Sequence, residues 1–265
     1  MTNASTVKYL SSPAYGGLDT NTIAYKQSTG ESPNNNMGII WCGGLKSDMD
    51  GSKASALHGW ADTQGRAFTR FDYFGHGVSS GEFRRGTITR WAADTVQVID
   101  ELTPMTPSQK HGPQILVGSS MGGWTALLAT LARPKRIHAL VLLAPAPDFT
   151  EKLMWANFSD DIRKMIMEDG IYYEPSDYDE PYEISRELIL DGRNNLLLDG
   201  PINVKCPVRI IQGMKDTSVP WKHAQKVAEA LVSEDVELKL IENADHSLSG
   251  AADIERMIKT IISLT

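Results

Sequence analysis

The sequence GSSMGG at residues 118–123 is the feature that most constrains the fold of this chain. It stands between the apolar run QILV and the alanine-rich run WTALLATLA, where a strand is expected to give way to a helix. Gly118, Ser120 and Gly122 form the pattern G-x-S-x-G, whereas Ser119 has no glycine two residues before it. A turn this tight strains the backbone of the serine and leaves room only for small neighbours. The pattern therefore predicts a strand, a sharp turn that presents the Ser120 hydroxyl, and a helix.

The same turn has a plainer interpretation, a glycine-rich connection or a phosphate loop. A phosphate loop of the Walker type ends in Gly-Lys-Ser or Gly-Lys-Thr, and this stretch contains no lysine. A helix that begins after Ser120 favours a developing negative charge, because its first N–H groups and its dipole point at the turn. We therefore expect Ser120 to act as a nucleophile.

Strand and helix patterns alternate along most of the chain. Short apolar runs bounded by turn residues predict strands, and apolar residues at helical spacing predict helices. Such alternation implies an α/β fold with a mainly parallel central sheet and helices on both faces. One half-exposed strand, at 22–26, is expected to pair antiparallel at a sheet edge. The other predicted strands cover 37–42, 66–72, 114–118, 138–144, 208–213 and 236–241, and the predicted helices cover 50–65, 89–102, 124–134, 221–232 and 251–262.

Residues 148–203 interrupt this alternation. They contain two amphipathic helical stretches, the first ending at Gly170, and residues 151–191 carry twelve acidic and four basic side chains. An insertion at this point of the chain lies over the carboxyl ends of the strands, where open α/β sheets place their sites. We therefore expect a helical cap at 148–203 on a core formed by residues 1–147 and 204–265.

A serine hydroxyl needs a base to take its proton, and the base needs an acidic partner. After a serine turn of this kind the acid comes next in the chain and the histidine last. Asp216 lies in the turn after the strand predicted at 208–213, and His246 lies in the turn after the strand predicted at 236–241. If these strands are parallel neighbours, both side chains share a sheet edge with Ser120. We expect His246 to be the base and then the acid, and Asp216 to orient it.

Both partners of the serine also have plainer interpretations. An aspartate before a helix is often an N-cap, and Asp216 precedes a helix predicted from Trp221. His76 also follows a strand, but it precedes Ser120 in the chain and stands in the sequence GHG, so we expect a structural role for it. The remaining histidines are core or surface residues by default, namely His58, His111, His138 and His223.

A tetrahedral intermediate needs two N–H donors directed at its oxygen. We expect one donor to be the backbone of Met121, which follows the nucleophile. The other is expected in the loop after the strand at 37–42, where Gly44 lets the backbone approach and Leu45 is the predicted donor. A plain β–α turn is the alternative for that loop. Cys42 adjoins it and is expected to be buried apolar filling, because no histidine motif pairs with it.

Apolar residues of the insertion are candidates for an acyl pocket. Met154, Trp155 and Phe158 lie in its first helical stretch, and Trp124 lies close to the serine turn. The alternative is that this apolar stripe packs the insertion onto the core, and that alternative is favoured, since such stripes are more often core than ligand site.

Composition excludes several classes of protein. A formal net charge of -7 and the lack of any basic run argue against a nucleic-acid partner. Two cysteines, Cys42 and Cys206, make no disulfide framework and no metal motif. No segment approaches ~18 uninterrupted apolar residues, and the first residues lack a secretory pattern, so we expect no membrane span. The expected compartment is the cytoplasm, with the mitochondrial matrix as the alternative for a processed eukaryotic chain.

Several motifs together resemble the α/β-hydrolase fold family of serine hydrolases and, within it, the acyl-protein thioesterases and acyl-glucuronide esterases of animal mitochondria. The resemblance runs from about Gly43 to His246 and is weakest in the insertion. It implies a triad at Ser120, Asp216 and His246, acyl-ester or thioester cleavage, and no metal or organic cofactor. The motifs are GLKSDMDGSKA, RFDYFGHGVSSG, PQILVGSSMGGW, CPVRIIQGMKD, VPW and ADH.

The sequence thus predicts a serine hydrolase that forms an acyl-enzyme at Ser120 and acts on a small-molecule or acylated substrate with a carboxylic ester or thioester. Two alternatives stay open. One is a C–C hydrolase or acyltransferase that uses the same residues, and the other is a ligand receptor with this fold and negligible turnover. The sequence does not indicate an oligomeric state.

Overall fold

A central sheet of eight strands organises the part of the chain that the structure, a computed structural model, describes. The described residues are 6–12, 21–30, 37–103, 113–175 and 181–265. The strands are β1 (Lys8–Ser12), β2 (Asn21–Thr29), β3 (Ile39–Cys42), β4 (Ala67–Phe71), β5 (Gln114–Ser119), β6 (Ile137–Leu143), β7 (Ile171–Glu174), β8 (Tyr182–Ser185), β9 (Val208–Gly213) and β10 (Val236–Ile241). The α-helices are α1 (Ser52–Thr63), α2 (Ile88–Leu102), α3 (Met121–Ala132), α4 (Asp160–Asp169), α5 (Arg186–Arg193), α6 (Trp221–Ala230) and α7 (Ala251–Ile262).

The order of strands in the sheet is β1-β2-β4-β3-β5-β6-β9-β10. Strands β1 and β2 run antiparallel to their neighbours, and the others are parallel. Parallel strands that are neighbours end at one edge, so the turns after β5, β9 and β10 lie on the same side of the molecule. The separate strands β7 and β8 pair as an antiparallel hairpin inside the insertion.

Two apolar clusters, one on each face of the sheet, bury the central strands. In β6, Leu140 and Leu142 belong to the cluster with α2, α3 and α6, whereas Val141 and Leu143 belong to the cluster with α1 and α7. Successive side chains of a strand point to opposite faces, so a continuous apolar run is what a strand covered on both faces requires. This explains why the runs IIWC, QILV and ALVLL contain so few polar residues.

The predicted α/β architecture is confirmed, with a correction at the sheet edge. The strand predicted at 22–26 is part of β2 and does pair antiparallel, with β4, but it is not the edge strand. That place belongs to β1, which the sequence analysis missed. Its residues are mostly exposed, and an edge strand buries too little surface to need an apolar pattern.

The insertion at 148–203 is not purely helical, in contrast to the prediction. Its first helical stretch is interrupted before Ser159, whose hydroxyl accepts a hydrogen bond from the Ile162 N–H and so begins a new helix, α4. Gly170 ends α4 with a φ of 88°, in agreement with the predicted stop. The β-branched and aromatic residues that follow form the β7–β8 hairpin, which such residues favour. The division into a core and a cap at these boundaries stays a prediction.

Candidate active site

Ser120 lies at the sharp turn between β5 and α3. Its φ of 55° and ψ of -119° are unusual for a residue with a side chain, and its N–H donates to the carbonyl oxygen of Leu143 on the neighbouring strand at 2.9 Å. A Cβ at Gly122 would collide with the carbonyl oxygens of Cys42 and Gly43, so only glycine fits there. Close packing on all sides therefore holds the strained serine in place.

The turns after β9 and β10 bring the other two predicted residues to Ser120. The Ser120 Oγ lies 3.1 Å from Nε2 of His246, and Nδ1 of His246 lies 2.7 Å from Oδ2 of Asp216. A carboxylate can only accept, so Nδ1–H donates to Asp216 and Nε2 is left to accept from the serine hydroxyl. The three side chains come from segments up to 126 residues apart and form one continuous hydrogen-bonded chain.

The Asp216 carboxylate is fully buried and receives hydrogen bonds from its own turn. Its Oδ1 accepts from the backbone N–H groups of Ser218, at 2.9 Å, and Val219, at 2.7 Å. These bonds resemble the N-cap role considered for this aspartate, but they use one oxygen and leave Oδ2 for His246. The turn therefore supplies hydrogen-bond donors to the buried carboxylate and also fixes its orientation.

Gln212 is a further residue of the site, and the sequence analysis missed it. Its side chain is buried at the end of β9, and its Nε2 donates to Asp216 Oδ2 at 3.0 Å and to the Val219 carbonyl oxygen at 3.0 Å. The available signal was a polar residue at the end of the strand VRIIQG, whose only other polar residue is Arg209. A buried side-chain amide needs hydrogen-bond partners, and the nearest acceptors are in the turn that follows the strand.

The loop after β3, residues 43–49, lies against Ser120 and is named the oxyanion loop below. A Cβ at Gly44 would lie 3.6 Å from the Cβ of Ser120. The Gly44 carbonyl oxygen accepts from the Ser47 N–H at 3.3 Å and from the Ser47 hydroxyl at 2.8 Å. In a trans peptide the N–H of Leu45 points opposite to this carbonyl, away from Ser47. Its assignment as an oxyanion donor stays a prediction.

Met121 is buried and begins α3, directly after Ser120. Its N–H is among the first of the helix, which are the donors that a helix leaves without internal partners. The position agrees with the geometry that the oxyanion prediction assumes. The donor role of Met121, like that of Leu45, stays a prediction.

Of the four predicted pocket residues, Trp124 and Phe158 are buried by packing. The Trp124 indole is fully buried, donates to the Asn195 carbonyl oxygen at 3.1 Å and contacts the Phe149 ring edge-on. This face of α3 packs under the insertion, so the contacts of Trp124 agree with the packing alternative, and a role in substrate binding stays a prediction. Phe158 packs edge-on against Tyr172 within the insertion.

Met154 and Trp155 are partly buried, Met154 between the insertion and the core and Trp155 within the insertion. Met154 contacts both the cluster of the insertion and the larger cluster of the core. Trp155 lies against two guanidinium groups, those of Arg193 and Arg163, at 4.6 and 5.7 Å from its ring centroid. These contacts agree with the packing alternative, and a role in substrate binding stays a prediction.

Among the described residues, Cys42 and the other histidines make no hydrogen bond to Ser120, Asp216 or His246. Burial raises the pKa of the Cys42 thiol to about 12, so it is protonated and unreactive at neutral pH. His58 bonds Arg70, and His138 and His223 lie beside backbone carbonyls of Leu264 and Pro147. His76 bonds backbone groups of two loops, as described below, and His111 lies outside the described residues.

Neither a metal site nor a membrane span is found in the described part of the chain. No group of three or more histidine, cysteine, aspartate or glutamate residues there is arranged to hold a metal ion. Among the same residues, no helix combines the length and the apolar character that crossing a membrane requires.

Comparisons with known proteins agree with this fold. The family model Hydrolase_4, described as serine aminopeptidase, S33, matches residues 50–172. The mitochondrial palmitoyl-protein thioesterase ABHD10 of Bos taurus is 38% identical over 262 residues, which cover 98% of this chain and 80% of that protein. A putative hydrolase from Agrobacterium vitis S4 superposes with a TM-score of 0.89 at 39% identity, covering 98% of this chain and 99% of that one. Mouse alpha/beta hydrolase domain-containing protein 10 gives a TM-score of 0.84 at 36% identity, covering 98% of both chains.

Proposed function

The chain belongs to the α/β-hydrolase family that contains the palmitoyl-protein thioesterase ABHD10, and on this premise we propose that Ser120, His246 and Asp216 are its catalytic triad. The protein is a serine hydrolase with esterase or thioesterase activity. One observation carries the proposal, namely the continuous contact from Ser120 Oγ to His246 Nε2, at 3.1 Å, and from His246 Nδ1 to Asp216, at 2.7 Å.

In the proposed reaction Ser120 Oγ forms a bond to the substrate carbonyl carbon while its proton passes to Nε2 of His246. The carbonyl oxygen becomes an oxyanion, which the N–H groups of Leu45 and Met121 stabilise. When the intermediate collapses, the bond to the leaving thiolate or alkoxide breaks, and that group takes the proton from His246. A water molecule then attacks the acyl-enzyme in the same way, with His246 as the base, and releases the carboxylic acid and the free serine.

We propose that the acyl group is a long alkyl chain and that the leaving group is a cysteine thiol of a protein or peptide. The names of the mammalian relatives support this choice, since they describe palmitoyl-protein thioesterases. The charge of the insertion supports a thioester over an acyl glucuronide: residues 151–191 carry twelve acidic and four basic side chains and would repel the glucuronide carboxylate.

The compartment of this chain stays a prediction. The mammalian relatives are mitochondrial by name, which favours the matrix if this chain is eukaryotic. The cytoplasm is the expectation if it is bacterial. An acylated substrate is the proposed partner in either compartment.

The experiment compares three substrates that share one acyl chain: an S-palmitoyl cysteine peptide, the matching O-palmitoyl serine peptide and palmitoyl glucuronide. We expect the thioester to be cleaved with the highest kcat/KM and the glucuronide with the lowest. Ser120→Ala is expected to lose activity on all three by about 10³-fold or more. Ser119→Ala is the control for the loss of a neighbouring hydroxyl and is expected to retain activity.

Each outcome has a defined meaning. Higher kcat/KM on the glucuronide than on the thioester contradicts the substrate proposal and leaves the triad intact. Release of palmitate by Ser120→Ala at the wild-type rate contradicts the triad itself. Tight binding of the peptides by the wild-type protein without turnover favours the receptor alternative.

A further inference from the structure

His76 is a buried histidine that the proposed reaction does not use. It is 3% exposed and lies in the loop that follows β4, residues 72–78, named the 72–78 loop below. The rings of Tyr73, Phe83 and Trp91 contact it edge-on, with centroids 5.6, 5.2 and 5.2 Å away. An imidazole in such an apolar site destabilises the fold unless its nitrogens have hydrogen-bond partners.

The two ring nitrogens of His76 have partners of opposite kind. Nδ1 lies 3.1 Å from the carbonyl oxygen of Phe74, so it must donate. Nε2 lies 3.0 Å from the backbone nitrogen of Lys46 in the oxyanion loop and accepts its N–H. These partners fix one neutral tautomer, with the proton on Nδ1. Burial lowers the pKa of His76 to about 4, so Nε2 remains an acceptor at neutral pH.

The backbone that His76 holds is strained. Lys46 has a φ of 57°, a conformation that a residue with a side chain adopts only where its surroundings impose it. The Lys46 N–H belongs to the peptide unit that follows Leu45, the predicted oxyanion donor. The preceding peptide unit, Gly44–Leu45, is held by Ser47, whose N–H and hydroxyl both donate to the Gly44 carbonyl oxygen. Leu45 thus lies between two peptide units whose directions are both fixed by hydrogen bonds.

A second bond joins the same two loops. Oδ1 of Asp72 accepts from the Met49 N–H at 2.6 Å, and Oδ2 accepts from the Val78 N–H at 2.9 Å. The far end of the oxyanion loop is therefore anchored at Met49 through Asp72, whereas its middle is anchored at Lys46 through His76. Along the chain, the His76 bond is the nearer of the two to Leu45, the predicted donor.

We propose that His76 is a positioning residue for the oxyanion hole: by accepting the Lys46 N–H, its Nε2 fixes the oxyanion loop so that the N–H of Leu45 faces the oxygen of the carbonyl group whose carbon Ser120 attacks. The inference rests on the proposed function and adds a residue that contacts neither the substrate nor the triad. Donors fixed before the reaction stabilise an oxyanion far better than donors that must reorient. The histidine of the GHG sequence in the 72–78 loop thereby positions the oxyanion loop in addition to its structural role.

Two substitutions separate the roles of the two nitrogens. Asn at this position offers a donor near Nδ1 and nothing near Nε2, whereas Gln reaches as far as Nε2 and offers an acceptor there. We expect His76→Asn to lower kcat about 10- to 100-fold with little change in KM. We expect His76→Gln to recover most of the loss. His138→Gln, at the opposite end of the sheet, is the control for removal of a histidine that contacts a backbone carbonyl.

A transition-state analogue provides the readout that a merely structural role would not change. An alkyl trifluoromethyl ketone forms a tetrahedral adduct with the serine and requires the oxyanion hole. Its inhibition constant is expected to rise with His76→Asn by the same factor as kcat falls, while the affinity for the matching unreactive alcohol stays constant. Equal losses for ketone and alcohol, or unchanged kcat in His76→Asn, contradict the proposal. Wild-type protein that neither binds the ketone nor turns over the substrates contradicts the proposed function instead.

A measurement on the wild-type protein covers the case in which His76→Asn does not fold. Long-range proton–nitrogen NMR spectra at pH 7 distinguish a protonated ring nitrogen from an unprotonated one. We expect Nε2 of His76 to be unprotonated and Nδ1 to carry the proton. A proton on Nε2 overturns the proposal, because that nitrogen could not accept the Lys46 N–H.

Discussion

At the scale of single residues, the orientation of the Asp216 carboxylate depends on more than the histidine it serves. Oδ2 receives both His246 Nδ1 and the Gln212 amide, while two backbone groups occupy Oδ1. A hydrogen bond to a charged group typically contributes about 1.5–3 kcal/mol. We therefore expect the Gln212 hydrogen bond to contribute substantially to holding the Asp216 carboxylate in the orientation that bonds His246.

We predict that Gln212→Leu lowers kcat/KM about 10-fold or more, because the carboxylate loses a donor and gains freedom to turn. The free energy of unfolding should fall by less than the activation free energy rises. The reason is that the substitution also removes the buried Gln212 Oε1, which has no hydrogen-bond partner among the described residues. Steady-state kinetics and thermal unfolding measure the two effects. Gln225→Leu, which removes an amide that bonds Glu229 on the exposed face of α6, is the control. A Gln212→Leu enzyme with wild-type kcat/KM would contradict this role.

Single residues also show where sequence reasoning reached its limit. Ser120, Asp216 and His246 were predicted because their chemistry demands a fixed order and a place after strands. Gln212 bonds the turn that follows it and His76 bonds a different loop, and no local pattern encodes which group a buried side chain meets. Trp124 was a pocket candidate with packing as the favoured alternative, because an apolar face of a helix looks the same whether it meets substrate or the core.

At the scale of elements, periodicity predicted the central strands well because both of their faces are buried. The strand at 208–213 and the helix at 251–262 have the predicted bounds, and so does β10 at 236–241, an edge strand whose side chains are partly buried or exposed. The exposed edge strand β1 and the β7–β8 hairpin were missed, since strands with little burial carry a weak apolar pattern. The insertion is closed at its base by Asp148, whose carboxylate accepts the N–H groups of Leu197 and Leu198 at 2.8 Å each. No local sequence pattern predicts hydrogen bonds between residues so far apart in the chain.

Helix α1 is joined to the turns of the active site through Lys53. Its Nζ donates to Ser119 Oγ at 3.0 Å and to the carbonyl oxygen of Ser247 at 2.5 Å. Burial lowers the pKa of Lys53 to about 8, and the nearby Asp245, Asp216 and Asp253 partly oppose that shift. One lysine on α1 thus contacts the neighbours of both Ser120 and His246.

This link predicts a pH dependence of stability. The pKa of Lys53 is about 8 in the folded state and about 10.5 when unfolded, so between these values the unfolded chain binds more protons. The free energy of unfolding of the wild type should therefore rise from pH 8 to pH 10.5 relative to Lys53→Met. We expect a difference of about 2 kcal/mol, which allows for partial solvent screening.

Denaturant unfolding at a series of pH values measures this difference. Lys259→Met is the matched control, because it removes one positive charge from the exposed face of α7, where Lys259 pairs with Glu255. A wild-type minus Lys53→Met difference that is flat from pH 7.5 to pH 10.5 would contradict the prediction.

At the scale of the whole molecule, the site is a product of topology. Strands β5, β6, β9 and β10 are parallel neighbours, so the turns that carry Ser120, Asp216 and His246 open at one edge. None of these side chains is reactive alone. They lie far apart along the chain, so they come into contact only when the sheet has formed. The activity therefore depends on the global fold, and variants that unfold the sheet lose it together with stability.

The most direct test of the account is to label the protein with a fluorophosphonate and to identify the modified residue by peptide mass spectrometry. Attack of an activated serine on phosphorus expels fluoride and leaves one phosphonate on the chain. We predict modification of Ser120 only, abolished in Ser120→Ala, strongly slowed in His246→Gln and retained in Ser119→Ala. Modification of Ser119, or labelling of His246→Gln at the wild-type rate, would contradict the claim that the contact between Ser120 and His246 activates the nucleophile.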